Sequence, residues 1–241
     1  TKGDFSSRVN IRGNNEFAQV GRAFNMMSER LESLDRSRNQ FVSNASHELK
    51  TPLSTIKILI ETLIYQDPMD PGMTKEFLGN INSEIDRLNG IISDLLSLVS
   101  IDSGEMRLKR EKFRLDDMVR DCARKLAPLA RERGIELEET VRDAVEITAD
   151  KSKLMQVVYN VIDNAIKYTP RAGSVHVDMA RAGKRAVIRI SDTGIGIPEE
   201  DQKHIFDRFY RVDKARSRET GGTGLGLSIV KQIVMLHNGT I

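Results

Sequence analysis

Apolar side chains recur at spacings of three and four from Phe17 to Leu63, and no other feature limits the possible folds of the chain so tightly. Phe17, Phe24 and Leu31 form one seven-residue series; Val20, Met27, Leu34 and Phe41 form another. Together they make the two-position seam of a coiled coil or four-helix bundle. Arg38 stands where the first series calls for an apolar residue. The stripe still continues through Phe41, Ala45, Leu49, Leu53, Ile56, Ile60 and Leu63, so one helix is expected from Glu16 to Tyr65. Pro52 lies inside it. Having no N–H for the Glu48 carbonyl, and a ring that crowds it, Pro52 is expected to bend the helix. Met26 and Met27 read as core packing. Residues 1–15, polar and carrying Gly3, Gly13 and Asn14-Asn15, read as a connector.

Asp67-Pro68-Met69-Asp70-Pro71-Gly72 cannot extend a helix and reads as a turn. Beyond it Phe77, Leu78, Ile81, Ile85, Leu88, Ile92, Leu95 and Val99 repeat the helical spacing as far as Ser103-Gly104. Two such helices make an antiparallel hairpin, each with an apolar face too broad for its neighbour to cover. Pairing two hairpins covers both faces, so burial alone calls for a homodimer built on a four-helix bundle. Composition agrees: 30% charged and only 5% aromatic suits long helices better than a sandwich or barrel. A net charge of +2 makes no electrostatic case for nucleic acid or an anionic membrane surface. The single cysteine, Cys122, excludes an intrachain disulfide and a cysteine-based zinc cluster. There is no apolar run of about 18 residues and no visible signal peptide. The opening Thr1-Lys2-Gly3-Asp4-Phe5 falls mid-pattern, as in a piece of a longer chain.

Past a charged linker the periodicity changes. Leu115 to Arg133 reads as a helix closing at Gly134, and Ile135–Glu138 and Val145–Ile147 alternate like strands. Lys151 to Tyr168 is a helix. Ser174–Met179 and Ala186–Ile190 alternate around a hairpin at Ala182-Gly183-Lys184. Gly226 to His237 is a last helix, stopped by Asn238-Gly239, and Thr240-Ile241 reads as the start of a strand, so this piece is expected to lack an edge of the sheet. The second half is thus an α/β layer structure with a largely antiparallel sheet.

His47 lies two residues from Ala45 and from Leu49, about 200° round the helix from each, and therefore on the solvent side. Glu48 is beside it and Thr51 one turn on. A neutral imidazole offers a nucleophilic nitrogen, and an adjacent carboxylate can hold the other ring N–H and take up its proton. An ordinary solvated face carries the same pair. On the helix 151–168, Leu154, Val158, Val161 and Ala165 face a core while Asn160, Asn164 and Lys167 align on a second stripe. Carboxamide oxygens and an ammonium on one face suit Mg²⁺ and a polyphosphate, and suit a solvated face equally. In Asp192-Thr193-Gly194-Ile195-Gly196-Ile197-Pro198 the glycines permit close backbone approach to a flat ligand, and Asp192 is an acceptor for an exocyclic amine. Gly221-Gly222-Thr223-Gly224-Leu225-Gly226-Leu227 runs into a helix, where exposed N–H groups make an anion site. No Gly-Lys-Ser/Thr follows and no strand precedes, so this is neither a Walker loop nor a dinucleotide fingerprint. His176, His204 and His237 read as structural.

In this order and spacing the motifs resemble those of bacterial two-component sensor histidine kinases. His47-Glu48-Leu49-Lys50-Thr51-Pro52-Leu53 resembles the phosphoacceptor box, and Asn160 to Tyr168 the asparagine box. Asp192-Thr193-Gly194-Ile195-Gly196 is similar to the first glycine box, Phe206 to Arg211 to the phenylalanine box, and Gly222 to Leu227 to the second glycine box. The resemblance covers residues 35–241, and the first 34 residues resemble the distal part of a HAMP signal relay. It implies a HAMP remnant and signalling helix at 1–34, a dimerisation and phosphotransfer hairpin at 35–104, a linker at 105–114, and a two-layer ATP-binding sandwich of the GHKL type at 115–241. It implies that His47 accepts the γ-phosphoryl group of ATP on Nε2, with Glu48 as base and Thr51 holding the water that hydrolyses a phosphorylated partner. Lys50 stands where many members carry Arg, keeping the charge and losing the planar fork. Asn164, assisted by Asn160, would ligate Mg²⁺. Lys167 and Arg211 would contact phosphates, Tyr168 would lie against the nucleotide, and Asp192 would read the adenine amine beside Gly194 and Gly196. Gly222, Thr223, Gly224, Leu225 and Gly226 would line the triphosphate, with residues 212–222 as a lid. The implied partners are a second copy and a response-regulator receiver domain. The implied location is the cytoplasmic side of a protein anchored in the bacterial membrane upstream of this piece. The rivals are a GHKL-type ATPase with no use for His47, and a signalling scaffold with no enzymatic activity.

Overall fold

The computed structural model describes residues 5, 7–10, 16–65, 70–212 and 222–241. They fall into two compact units, residues 1–88 and 89–241. In the first, helix α1 (Glu16–Tyr65) has the bounds its apolar repeat sets and runs unbroken through Pro52. Helix α2 (Pro71–Asp102) starts from Asp70, whose Oδ2 accepts the N–H groups of Gly72 at 2.9 Å and Met73 at 3.3 Å, a side-chain cap for a helix start. The turn read at 67–72 lies partly outside the described residues.

The seam of α1 is bare in this single chain. Phe17 is 85% exposed, and Val20, Met27 and Leu34 are all exposed. Met26 and Met27 are thus surface residues here, not the core packing their apolar character suggests, because no second helix of the described residues lies against them. What α1 buries there is a stripe of small residues, Ala18, Gly21 and Ser28. Part of the connector runs beside this stripe: Asn25 accepts the Val9 N–H at 2.8 Å and donates to the Val9 carbonyl at 2.9 Å, and Arg8 pairs with Glu32 at 2.7 Å. Further along, Leu53 is 59% exposed although it belongs to the expected stripe, and its neighbour Pro52 is buried instead.

In the second unit the chain leaves α2 at Gly104, whose φ of +69° a side chain would resist. The linker read at 105–114 ends in a strand, β1 (Glu111–Arg114), paired antiparallel with β3 (Glu146–Ala149). Helix α3 (Leu115–Glu132) buries Met118, Val119, Cys122, Leu126 and Ala130 at helical spacing. Burial pushes the Cys122 thiol up to about 11, which keeps it a protonated core filler. A three-stranded sheet runs β2 (Glu136–Val141), β4 (Ser174–Ala182), β5 (Arg185–Asp192). β4 and β5 pair antiparallel as the hairpin signal requires, with Gly183 at φ +63° in the turn. β2 and β4 pair parallel, because β3 and helix α4 (Lys151–Tyr168) intervene and carry the chain back to the starting end of β2. Val175, Val177 and Met179 of β4 point into the core with Val158, Ile162, Ala165 and Ile166 of α4 and the buried face of α3. The short helix α5 (Glu199–Gln202) and helix α6 (Gly226–Leu236) complete the lobe, and residues 240–241 form no strand. The result is a helix layer on a sheet. No helix of the described residues is long and apolar enough to cross a membrane.

Two buried aspartates join these layers. Asp116, fully buried, takes Arg114 at 2.5 Å, Arg120 at 3.3 Å and the Val145 N–H at 3.2 Å, tying β1, α3 and the approach to β3. The Arg114 hydrogen bond holds its carboxyl below the usual range. Asp150 caps α4: Oδ1 accepts from Lys153 N–H at 3.1 Å and Ser152 Oγ at 2.8 Å, and Oδ2 from Lys109 N–H at 2.9 Å. Its own N–H donates to His237 Nε2 at 3.1 Å, and His237 Nδ1 lies 2.8 Å from the Ile233 carbonyl, fixing α6 to the start of α4. Burial works to raise the Asp150 carboxyl, but the hydrogen bonds from Ser152, Lys109 and Lys153 outweigh it and hold it low. Asp150→Asn would turn an amide N–H toward one of these donors and is expected to cost about 1–3 kcal/mol at neutral pH. A depressed carboxyl stabilises fully above its unfolded value of about 4 and loses that contribution as pH falls through its folded value, so variant and parent should converge in acid. Urea denaturation on both sides of that range measures the difference.

Candidate active site

The residues of interest divide between a helix of the first unit and a helix-and-glycine cluster of the second. On α1 the His47 ring is exposed, as the helical wheel requires, and Lys50 and Thr51 are exposed with it. Glu48 is half-buried. The Thr51 hydroxyl donates to the His47 carbonyl at 3.2 Å, and the Ser46 hydroxyl to Val42 at 2.8 Å, so both side chains fold back on the helix around the imidazole. The carbonyl of Glu48 meets no N–H at Pro52.

In the second unit everything converges on the half-buried polar stripe of α4, Asn160, Asn164 and Lys167. Asn160 abuts the start of α6: a Cβ built on Gly226 would sit 3.7 Å from Asn160 Nδ2. At the other end of α4, a Cβ on Gly222 would sit 3.6 Å from the Tyr168 hydroxyl. Gly194 passes so close that a Cβ would lie 2.7 Å from the Tyr168 carbonyl and 2.5 Å from Asp192 Oδ1; this is a position only glycine can fill. Asp192 ends β5, and its Oδ1 accepts the Gly194 N–H at 2.9 Å, which fixes the rotamer of the carboxylate. Thr193 Oγ1 accepts the Ser174 N–H at 2.9 Å and pins the same turn to β4. Gly196 has φ +70° with open space where a side chain would be. Arg211 is half-buried at the end of the phenylalanine segment. Leu225 is buried, and its N–H donates to Thr223 Oγ1 at 3.2 Å just ahead of α6. Most of the segment read as a lid, residues 213–221, lies outside the described residues.

The two flanks of that segment are locked at the backbone. Phe209 donates its N–H to the Gly224 carbonyl at 2.9 Å, Phe209 has φ +61°, and Gly224 has φ +71°. A Cβ on Gly224 would fall 2.8 Å from the Phe209 carbonyl carbon. The phenylalanine and second glycine segments are thus one structural element. The segment is braced from outside by Tyr210, which donates to Asp201 at 2.5 Å, by His204 against Asp207 at 2.8 Å, and by Lys231 Nζ lying 5.5 Å from the Phe206 ring centroid. His204, like His237 and like His176 beside Glu138 at 3.6 Å, has a packing or pairing role.

Family models match in three consecutive stretches: a HAMP domain at residues 1–33, a His Kinase A (phospho-acceptor) domain at 37–104, and a histidine kinase-, DNA gyrase B- and HSP90-like ATPase at 149–241. The chain is 37% identical over 213 residues to the sensor histidine kinase WalK of Bacillus subtilis, spanning 87% of this chain and 35% of WalK. It is 35% identical over 238 residues to the signal transduction histidine-protein kinase ArlS of Staphylococcus aureus, spanning 98% of this chain and 52% of ArlS. The chain belongs to the two-component sensor histidine kinases. It spans between about a third and half of the length of these relatives. Among solved structures, full-length ShkA in complex with AMPPNP aligns with a TM-score of 0.59 at 26% identity, over 82% of this chain and 40% of ShkA.

Two charged residues of this family member escaped the sequence reading. Lys167 Nζ is held at 2.5 Å by Asp163, one turn back on α4 between the two asparagines. The i, i+4 spacing announces this pair, but an acid beside a candidate phosphate contact drew no attention. Asp94 of α2 is half-buried; burial pushes its carboxyl up to about 6, with the Lys167 ammonium pulling the other way. Nothing in the sequence relates a helix of the hairpin to Lys167. Gly224→Ala combines a left-handed backbone with a clash on Phe209, and is expected to cost about 1–3 kcal/mol and to speed hydrogen exchange at the Phe209 amide. Gly183→Ala shares the positive φ but faces open space, and should cost about 1 kcal/mol with no effect on Phe209. Parallel urea melts and amide exchange on the two variants test the contrast.

Proposed function

We propose that the chain phosphorylates itself on His47 with ATP and passes the phosphoryl group to an aspartate of a response-regulator receiver domain. The observation that carries this reading is the pairing, in one chain, of an exposed imidazole on a long helix with a lobe whose glycine segments all close on the Asn160–Tyr168 face. The His47 Nε2 lone pair attacks the γ-phosphorus in line, the N–P bond forms as the bond to the β-phosphate bridging oxygen breaks, and ADP leaves. Glu48 holds the Nδ1 proton and accepts it as the ring takes up charge. Lys167 and Arg211 neutralise phosphate charge, the Gly222–Gly226 amides and the start of α6 receive phosphate oxygens, Tyr168 covers the nucleotide, and Asp192 accepts from the adenine amine. The donor set fits Mg²⁺ held jointly with a nucleotide: Asn160 and Asn164 offer neutral oxygens, and no cluster of three or more His, Cys, Asp or Glu exists among the described residues to cage a metal alone. Bound there, Mg²⁺ would supply charge neutralisation to the phosphates.

The same reading makes Thr51 the water-positioning residue for hydrolysis of the phosphorylated regulator, and Lys50 an electrostatic neighbour of the phosphohistidine. It makes the chain a homodimer. Leu53, Ile60 and Ile64 of α1 and Ile85, Leu96 and Val99 of α2 are all exposed, which is more apolar surface than a monomeric stem tolerates. It makes the whole protein membrane-anchored upstream, with this portion on the cytoplasmic side.

Incubation with γ-labelled ATP and Mg²⁺ is expected to leave acid-labile, alkali-stable label on the protein, abolished in His47→Gln. Free phosphate without labelled protein would instead support the ATPase reading, and absence of both the scaffold.

A further inference from the structure

Arg208, inside the phenylalanine segment, grips Asp102, the last residue of α2: Nη1 donates to Oδ2 at 2.7 Å and Nη2 to Oδ1 at 2.6 Å. The two residues are 106 positions apart, and the two-pronged geometry fixes orientation as well as distance. Between α2 and β1 lies the segment 103–110. It has ties of its own, Met106 N–H to the Ser100 carbonyl at 3.0 Å and Lys109 N–H to Asp150 Oδ2 at 2.9 Å. These anchor each end of the segment to its own side, Met106 to α2 and Lys109 to the lobe. The Arg208–Asp102 pair is different, because it joins the end of α2 directly to the far part of the lobe and so closes the angle the segment would otherwise be able to open. Arg208 also adjoins Phe209, whose N–H holds Gly224, so the grip is rooted in the backbone that shapes the glycine segment.

We propose that the Arg208–Asp102 pair is an electrostatic latch across the 103–110 hinge, holding the nucleotide-binding lobe to the end of α2 and slowing its release for transfer to His47. The inference rests on the proposed kinase reading. Both side chains are partly exposed, 31% for Arg208 and 49% for Asp102. An ion pair in that setting shifts an equilibrium by about two- to fivefold, a hold that thermal motion or a bound nucleotide can undo. Salt at about 1 M should screen it.

The test uses the full chain with Asp102→Asn, Arg208→Gln and the charge reversal Asp102→Arg/Arg208→Asp. Two readouts are followed: amide exchange at Met106 and Lys109, and the rate of His47 labelling at saturating ATP. Each single variant is expected to raise both by about two- to fivefold with the KM for ATP unchanged, and the reversal to restore both. High salt should bring the parent up to the Asp102→Asn rate. Single variants that match the parent in either readout, or a reversal that restores neither, would overturn the latch. If no form of the chain is labelled, the kinase reading fails by itself, and exchange alone decides the latch: faster in Asp102→Asn supports it, unchanged overturns it.

Discussion

The lobe depends on how closely backbone can approach one helix. α4 buries Val158, Ile162 and Ala165 against the sheet and presents Asn160, Asn164, Lys167 and Tyr168 on its other side. Two glycine segments then come within van der Waals distance of that side, at Gly194 and at Gly226, and the second of them packs at Gly224 on the backbone of Phe209. A methyl group at Gly194 or Gly224 would collide with main-chain atoms, which cannot step aside as a flexible side chain can. The polar stripe is therefore walled by peptide groups, and peptide N–H groups are what an anionic, flat ligand needs. Sequence spacing, packing and candidate chemistry are one fact at these positions.

The frame that presents α4 is set by charges taken out of water and fully paired. Asp150 receives three donors and caps the helix while its own N–H reaches His237 on α6. Asp116 does the same for β1 and α3. Buried carboxylates are costly unless every lone pair finds a donor, so these two positions specify one arrangement of strands and helices more sharply than apolar packing does. Nearer to water stand other ion pairs: Asp163 with Lys167, and Asp102 with Arg208. Those can exchange partners, which is what a site that loads a polyphosphate and a hinge that moves both require.

Much of this was legible in the residues. The bounds of α1 and α4 follow from apolar periodicity alone, and the β4–β5 hairpin from alternation around Gly183. The exposure of His47 follows from its angle to Ala45 and Leu49. What escaped has physical reasons. β1 carries one apolar residue, Phe113, and takes its identity from its partner β3 and from Arg114 gripping Asp116, so it reads as part of a charged linker. Alternation marks β2 and β4 as strands but is blind to direction, which the intervening α4 decides. Met26 and Met27 look like core residues because an apolar seam implies a partner helix, and a single chain cannot supply it. Lys167's neighbour Asp94 and the Arg208–Asp102 grip join residues far apart in sequence, which no periodicity encodes.

Isothermal titration of the chain with a non-hydrolysable ATP analogue, with and without Mg²⁺, tests the central claim that the peptide-walled face of α4 is a metal–nucleotide cradle. Binding at one site per chain is expected, weakened about tenfold or more by chelating the metal or by Asn164→Ala, because both remove oxygen coordination at the phosphates. Heat of binding that is absent, or that ignores both Mg²⁺ and Asn164, would contradict it.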